Sequence, residues 1–154
     1  MNLSEKKKEI IERVGVYYEH KGLQPVVGRI VGLLLVAEPA EATFEEIYGE
    51  LQVSKSAVST ALTFMQAKEM VEYTTKPGDR KRYFKLRLNE WKTNIQKQFD
   101  DILDIENLIK EVVVLKENRQ SDFCCKLIDI KNFLLFLRKE LPLLLDKFEA
   151  TKNK

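Results

Sequence analysis

After Met70 the apolar period of this chain changes from three-to-four to two, and at Trp91 it changes back. Those periods belong to helix and strand respectively, so a short hairpin is set between helical segments. Few folds accommodate that order. Val71, Tyr73 and Thr75 alternate with Glu72 and Thr74, and Arg82 to Leu88 returns as a second alternating strand. Between them Lys76-Pro77-Gly78-Asp79 is turn chemistry, because proline fixes φ and glycine accepts a positive one.

The residues ahead of the hairpin read as two short helices. Thr43-Phe44-Glu45-Glu46 spells a capping box, in which hydroxyl and carboxylate satisfy each other's backbone N–H. A helix to Leu51 follows. Gln52-Val53-Ser54 is a tight connection, and Ser54 is a good N-cap for the next helix. Along that helix Val58, Ala61, Leu62 and Met65 form the inward face, while Lys55, Ser56, Ser59, Thr60 and Thr63 point elsewhere.

Helices flank this block on both sides. Ser4 to Glu38 reads as a pair, the first ending at Gly22 and the second opening at Pro25. The second, through Ile30, Leu33, Leu34 and Val36, is apolar on most sides and is expected to be buried. After the hairpin, Trp91, Ile95, Phe99, Ile102, Ile105, Ile109 and Val112 step by threes and fours. A break near Asn118 precedes Phe123, Leu127, Ile130, Leu134, Leu137 and Leu141, a heptad-like seam that wants a helical partner. Pro142 interrupts it, leaving Leu143 to Phe148 for a last short helix. The expected organisation is residues 1–40 as N-terminal helices (platform and start of the lobe), 41–90 as the lobe, and 91–154 as a helical dimerisation region.

Charge singles out the middle block. The chain carries a net charge of only +2, yet residues 52–88 hold eight basic residues and three acidic ones, leaving +5 there and −3 elsewhere. A basic segment on an otherwise acidic chain suggests a polyanion met by one face. Helix, short turn, helix and basic hairpin form the winged helix-turn-helix order. The expected fold is mainly α with a small β-hairpin wing, a winged helix-turn-helix lobe on a helical dimerisation platform. An α-helix fits the major groove of double-stranded DNA, and arginines of a wing suit a narrow minor groove. The candidate DNA-binding residues are Thr43, Ser54, Lys55, Ser56, Ser59, Thr60, Thr63, Lys76, Arg80, Lys81 and Arg82.

These residues also carry a resemblance. Val14-Gly15-Val16-Tyr17-Tyr18-Glu19, Gly28-Arg29-Ile30-Val31-Gly32-Leu33-Leu34, Ser54-Lys55-Ser56-Ala57-Val58-Ser59 and Lys76-Pro77-Gly78-Asp79-Arg80-Lys81-Arg82-Tyr83-Phe84 resemble the GbsR branch of the MarR-like transcriptional regulators. The resemblance covers about half the chain, from Val14 to Trp91. It implies a homodimeric repressor on a pseudo-palindromic operator, its half-sites about 34 Å apart. It also implies a small-molecule effector, with choline as the branch's known signal. Two departures stand out: Ser-Lys-Ser where the family often has Ser-Lys-Gly, and C-terminal helices that match no pattern in it. A quaternary ammonium ion would need an aromatic cage, for which Tyr17, Tyr18, Trp91 and Phe99 are the candidate walls; such residues are equally ordinary core. The platform seam Phe123, Leu127, Ile130, Leu134, Leu137 and Leu141 is read as the dimer contact, or as packing within one chain.

Other classes lack parts. The single histidine, His20, has no evident partner for catalysis, and no phosphate loop or metal-ligand spacing appears. No enzyme activity, cofactor or metal is expected. Cys124 and Cys125 are adjacent, too strained to bond each other; they read as small buried hydrophobes, with a redox switch as the alternative. The charged N-terminus is no signal peptide and no apolar run reaches the roughly 18 residues of a membrane span, so a cytoplasmic location without membrane contact is expected. The rival reading is a winged-helix scaffold for proteins that does not bind DNA.

Overall fold

Glycine on facing helix surfaces lets two helices approach closely, and the first two helices of this chain use it. The computed structural model describes residues 3–89 and 91–152. Helix α1 (Glu5–His20) is capped by Ser4, whose hydroxyl accepts from the Lys7 N–H; α2 (Pro25–Val36) opens on its proline. A Cβ added at Gly28 would lie 2.9 Å from the Gly15 carbonyl oxygen and from the Tyr18 Cβ. One added at Gly32 would lie 2.9 Å from the Ile11 Cα. Arg29 then bolts the pair from outside, donating to Glu12 at 2.9 Å and Glu19 at 2.5 Å.

So held, α2 becomes the centre of the first unit. Its Val27, Ile30, Leu33 and Leu34 are at most 1% exposed, where each apolar side chain contributes about 1.5–3 kcal/mol by leaving water. Around it pack α3 (Phe44–Leu51) and α4 (Lys55–Ala67) through Ile47, Val58, Ala61, Leu62 and Met65, and the sheet through Val71 and Phe84. The sheet has three antiparallel strands in the order β1-β3-β2: β1 (Ala42–Thr43), β2 (Val71–Thr75) and β3 (Arg82–Leu86). Tyr73 pairs with Phe84 and Thr75 with Arg82 across the hairpin, while Ala42 and Thr43 pair with Phe84 and Tyr83. The hairpin forms where the alternation and the turn residues place it. The two-residue β1 is too short to carry a period, and sequence reading does not reveal it.

The chain divides into two compact units, Met1–Asn89 and Glu90–Lys154. The first two helices therefore share one core with the residues after position 40, and no structural boundary falls at residue 40. In the second unit, α5 (Trp91–Leu103) and α6 (Ile105–Leu115) meet at Asp104, and α7 (Asp122–Lys152) is one helix of 31 residues. Two expectations change here. The periodic stretch from Trp91 to Val112 breaks at Asp104, whose side chain accepts from Arg138 of α7 at 3.3 Å instead of capping α6. The helix also continues through Pro142. Proline removes one backbone bond, but the turns beyond it pack on α5, with Phe148 edge-on to Trp91 at 6.0 Å, and Lys92 is ion-paired with Glu149. Among the described residues no helix is long and apolar enough to cross a membrane.

Glycine in a helix ordinarily loses about 1 kcal/mol to alanine, so close packing reverses a general preference at Gly32 and leaves it at Gly49. Gly32→Ala is expected to lower stability by about 1–3 kcal/mol through overpacking against α1. Gly49→Ala, where an added Cβ meets nothing within 4 Å, is expected to raise it by about 0.5–1 kcal/mol. Urea midpoints of the two variants check the pair: equal shifts in one direction would remove the close-approach role of the glycine.

Candidate nucleic-acid interface

Three features of the turn between α3 and α4 fix the angle of α4. Gln52 takes a left-handed conformation, φ 52°, closing α3. Ser54 then caps α4, its hydroxyl accepting from the Ala57 N–H at 3.2 Å. Val58, Ala61, Leu62 and Met65 seat the helix on the core, and Lys55, Ser56, Ser59, Thr60, Thr63 and Gln66 are left exposed. These exposed residues recur every three or four positions and so form one face. It holds no acidic residue.

The wing stands beside this helix. Gly78 takes φ 79° at its tip. Asp79 locks the return: one carboxylate oxygen accepts from the Lys81 N–H at 2.9 Å, the other from the Tyr83 hydroxyl at 2.6 Å. The phenol's hydrogen bond to Asp79 raises the Tyr83 pKa to about 12. The same bond, with the Lys81 N–H, holds the Asp79 carboxyl below the usual carboxylate range. By linkage that lock is fully formed at neutral pH and is lost as pH falls through the depressed Asp79 value.

Geometry sorts seven of the eight basic residues that sequence could only count; the eighth, Lys68, is exposed at the C-cap of α4. Lys76 pairs with Glu41 at 2.5 Å and lies 3.9 Å from the centre of the Tyr83 ring. Lys85 pairs with Glu72 and Arg87 with Glu69. The Arg82 guanidinium lies over Tyr73 at 4.7 Å, and the Lys55 ammonium over Tyr48 at 5.0 Å. Arg80 and Lys81, both exposed, have no ion-pair or ring partner for their side chains among the described residues. The wing therefore carries at its tip two cations without an ion pair, although the Lys81 charge helps to lower the Asp79 and Glu46 carboxyls.

Two of the candidate contacts change role. Thr43 is 4% exposed; its hydroxyl accepts from the Glu46 N–H at 3.3 Å while Glu46 accepts from the Thr43 N–H at 2.8 Å, so it is a cap and not a contact. Lys76 acts as a strut between the wing and Glu41, the residue before β1. Ser54, Lys55, Ser56, Ser59, Thr60, Thr63, Arg80, Lys81 and Arg82 are all exposed on the helix or the wing. Sequence reading passed over Gln66, which lies seven residues from Ser59 on the same face. It also passed over Asp79 and Tyr83, although a Gly-Asp turn commonly folds its carboxylate back on the backbone.

The other two groups of candidates are divided by the fold. Tyr17 and Tyr18 pack edge-on at 5.3 Å and line a groove with Arg13, Val14 and Leu35 in the first unit. Trp91 and Phe99 lie on α5 in the second. The Tyr17 ring is met by Lys21, and the Trp91 ring by Lys92 and Lys152, so the chain's own ammonium groups hold faces that a quaternary ammonium ligand would need. The α7 seam is likewise not one outward face. Leu134 is buried, Leu127, Leu137 and Leu141 are half-buried, and Phe123 and Ile130 are exposed. Cys124 is buried and Cys125 exposed.

A helix-turn-helix with a three-stranded sheet and a basic hairpin is a winged helix-turn-helix lobe. No family model matches the chain. It is similar to the HTH-type transcriptional regulator MmpR5 of Mycobacterium tuberculosis, at 29% identity over 100 residues that span 65% of this chain and 61% of that protein. It is also similar to a crystal structure of a transcriptional regulator, at 22% identity and TM-score 0.69, covering 94% of this chain and 99% of the other. MepR, a transcription regulator of the Staphylococcus aureus multidrug efflux pump MepA, aligns at 18% identity and TM-score 0.43, over 82% of this chain and 91% of its own. The second of these likenesses establishes the winged helix fold; at that identity it carries no function with it.

The Asp79–Tyr83 lock gives a spectroscopic prediction. In an alkaline absorbance titration the difference between the native chain and Tyr83→Phe should show one phenol ionising near pH 12. In Asp79→Ala that phenol should return toward the ordinary value of about 10. An unchanged titration in Asp79→Ala would remove the lock.

Proposed function

We propose that the chain is a DNA-binding transcriptional regulator, a MarR-like homodimer of the GbsR kind that represses from a pseudo-palindromic operator in the cytoplasm. Helix α4 enters the major groove, and the wing reaches the adjacent backbone and minor groove. The observation that carries this reading is the pairing of an α4 face without acidic residues with a wing tip whose Arg80 and Lys81 are exposed and form no ion pair among the described residues. The name of the mycobacterial relative points the same way. So does the resemblance in Ser54–Ser59 and Lys76–Phe84.

The second unit supports dimerisation. Phe123, Ile130, Phe133 and Phe136 of α7 are 49–59% exposed. A run of large apolar side chains at that exposure marks a protein-binding face, and a second copy satisfies it with the two-fold symmetry that a palindromic site requires. An effector would act by favouring one spacing of the two lobes.

Fluorescence anisotropy with duplexes from upstream of the chain's own gene, against scrambled DNA, tests the reading. Binding is expected to favour one duplex and to weaken steeply with salt. Two wing tips, each with Arg80 and Lys81, give a log–log slope of roughly −4 or steeper. Arg80→Ala should lower affinity and flatten that slope by about 2 in the dimer. Ser56→Glu should abolish preference for the operator. Weak binding to every duplex at low salt would leave a protein-binding scaffold in its place.

The dimer face has its own test in sedimentation. Phe133→Glu should give a folded monomer, because Phe133 is 58% exposed. Leu134→Glu should unfold the second unit, because it places a carboxylate inside the chain's own packing. A folded dimer from Phe133→Glu would move the interface off the outer face of α7.

A further inference from the structure

Resting on that DNA-binding reading, we propose that Glu41, an acidic residue on neither the α4 face nor the wing, is a positioning residue for DNA binding. Through Lys76 it fixes the direction of the wing turn relative to the helix-turn-helix, so that loss of its negative charge weakens the hold on an operator.

The turn needs support from outside the hairpin. Strand β1 pairs only with Tyr83 and Phe84 of β3, and β2 is an edge strand beside β3. The hairpin pairing ends at Thr75 and Arg82, so residues 76–81 project beyond the part of the sheet that β1 anchors. Contacts within the wing are local: Asp79 accepts from the Lys81 N–H and the Tyr83 hydroxyl, and Arg82 lies over Tyr73. They fix the shape of the turn and leave its direction to whatever holds it. Among the described residues, the ion pair from Lys76 to Glu41 is the one that joins the turn to a residue outside the hairpin.

The lobe end of that pair is set firmly. Glu41 stands two residues before Thr43, the cap of α3, and its N–H donates to the Pro39 carbonyl at 2.7 Å. Its side chain is 19% exposed, against 48% for Lys76. The Lys76 ammonium also meets the Tyr83 ring at 3.9 Å. It is thus held between a carboxylate on the lobe and a ring on β3.

Charge alone argues against this arrangement beside a polyanion. The Tyr83 phenol feels the charges of Asp79, Glu41 and Glu46, and Lys76 and Lys81 lie close enough to lower the Asp79 carboxyl. Three carboxylates against two ammoniums leave this cluster negative. As a mere charge, Glu41 lowers affinity for every duplex, within a screening length of about 8 Å at physiological salt. As a support it raises affinity where wing and α4 must fit one site together. Scrambled DNA, held by phosphate contacts in any register, gains little from that support. The two roles therefore differ in sign and in which duplex they affect.

Anisotropy with the preferred and a scrambled duplex gives the affinity ratio and the salt slope. Glu41→Gln should lower the ratio about fivefold for each wing, the upper limit for an ion pair of this exposure. The salt slope should not flatten, because no cation is removed. Lys76→Met should lower the ratio equally, and the double variant no further, since one contact is lost only once. Lys76→Arg, which keeps the charge, should retain the native ratio. In the free Glu41→Gln chain, NMR order parameters should fall at residues 78–81 and stay native in α3, which separates a loosened turn from an unfolded lobe. Glu41→Gln that tightens both duplexes alike, or keeps the native ratio, overturns the inference and leaves DNA binding standing. So does Lys76→Met with an unchanged ratio and a flattened slope, which makes Lys76 a phosphate contact. A native chain that prefers no duplex overturns the DNA-binding reading, and this inference with it.

Discussion

One residue joins the wing to the helix-turn-helix. Thr43 ends β1, opposite Tyr83 of β3, and is the N-cap of α3. Its backbone N–H and hydroxyl both donate to the Glu46 carboxylate at 2.8 Å, and the hydroxyl accepts the Glu46 N–H in return. A cap of this kind contributes about 1 kcal/mol, but its larger consequence is geometric. The strand that holds the wing and the helix that begins the helix-turn-helix share a residue, so neither can rotate without the other. The hydrogen bond from the Thr43 N–H keeps the Glu46 carboxyl below the usual carboxylate range. The box is therefore complete at neutral pH and opens only as pH falls through that depressed value.

The same segment governs the electrostatics. Glu41, two residues before Thr43, takes the Lys76 ammonium, and that ammonium covers the Tyr83 ring whose hydroxyl is bound by Asp79. Strut and lock therefore converge on one tyrosine. Cations committed to this framework hold the hairpin in place, and those beyond it remain available to a partner. In the proposed DNA complex it is the available ones that would displace counterions from the phosphate backbone.

The second unit follows a different logic. Its long helix ignores a proline because apolar packing on α5 outweighs one lost backbone bond, and its seam is divided between inside and outside. Leu134 goes inward with Leu103 and Cys124 buried in the same unit, while Phe133, one residue away, faces out. On a helix, neighbours in sequence lie about 100° apart, so an apolar run two residues wide serves both a core and an exposed face.

The sequence by itself determined the order of elements: two helices closed and opened by Gly22 and Pro25, a capping box at Thr43, an N-cap at Ser54, and a hairpin turned by Pro77-Gly78. Those signals are local, written in periodicity and in residues with restricted backbone, and they survive without knowing what lies nearby. It also placed the polar face of α4 and the basic wing. Only the tertiary structure decided which charges are spent. Glu41 lies 35 residues from Lys76, and no pattern along the chain connects them. Burial, the Asp104 break and the division of the α7 seam were decided there too, because each depends on what packs opposite, and a periodic stripe specifies only that something must.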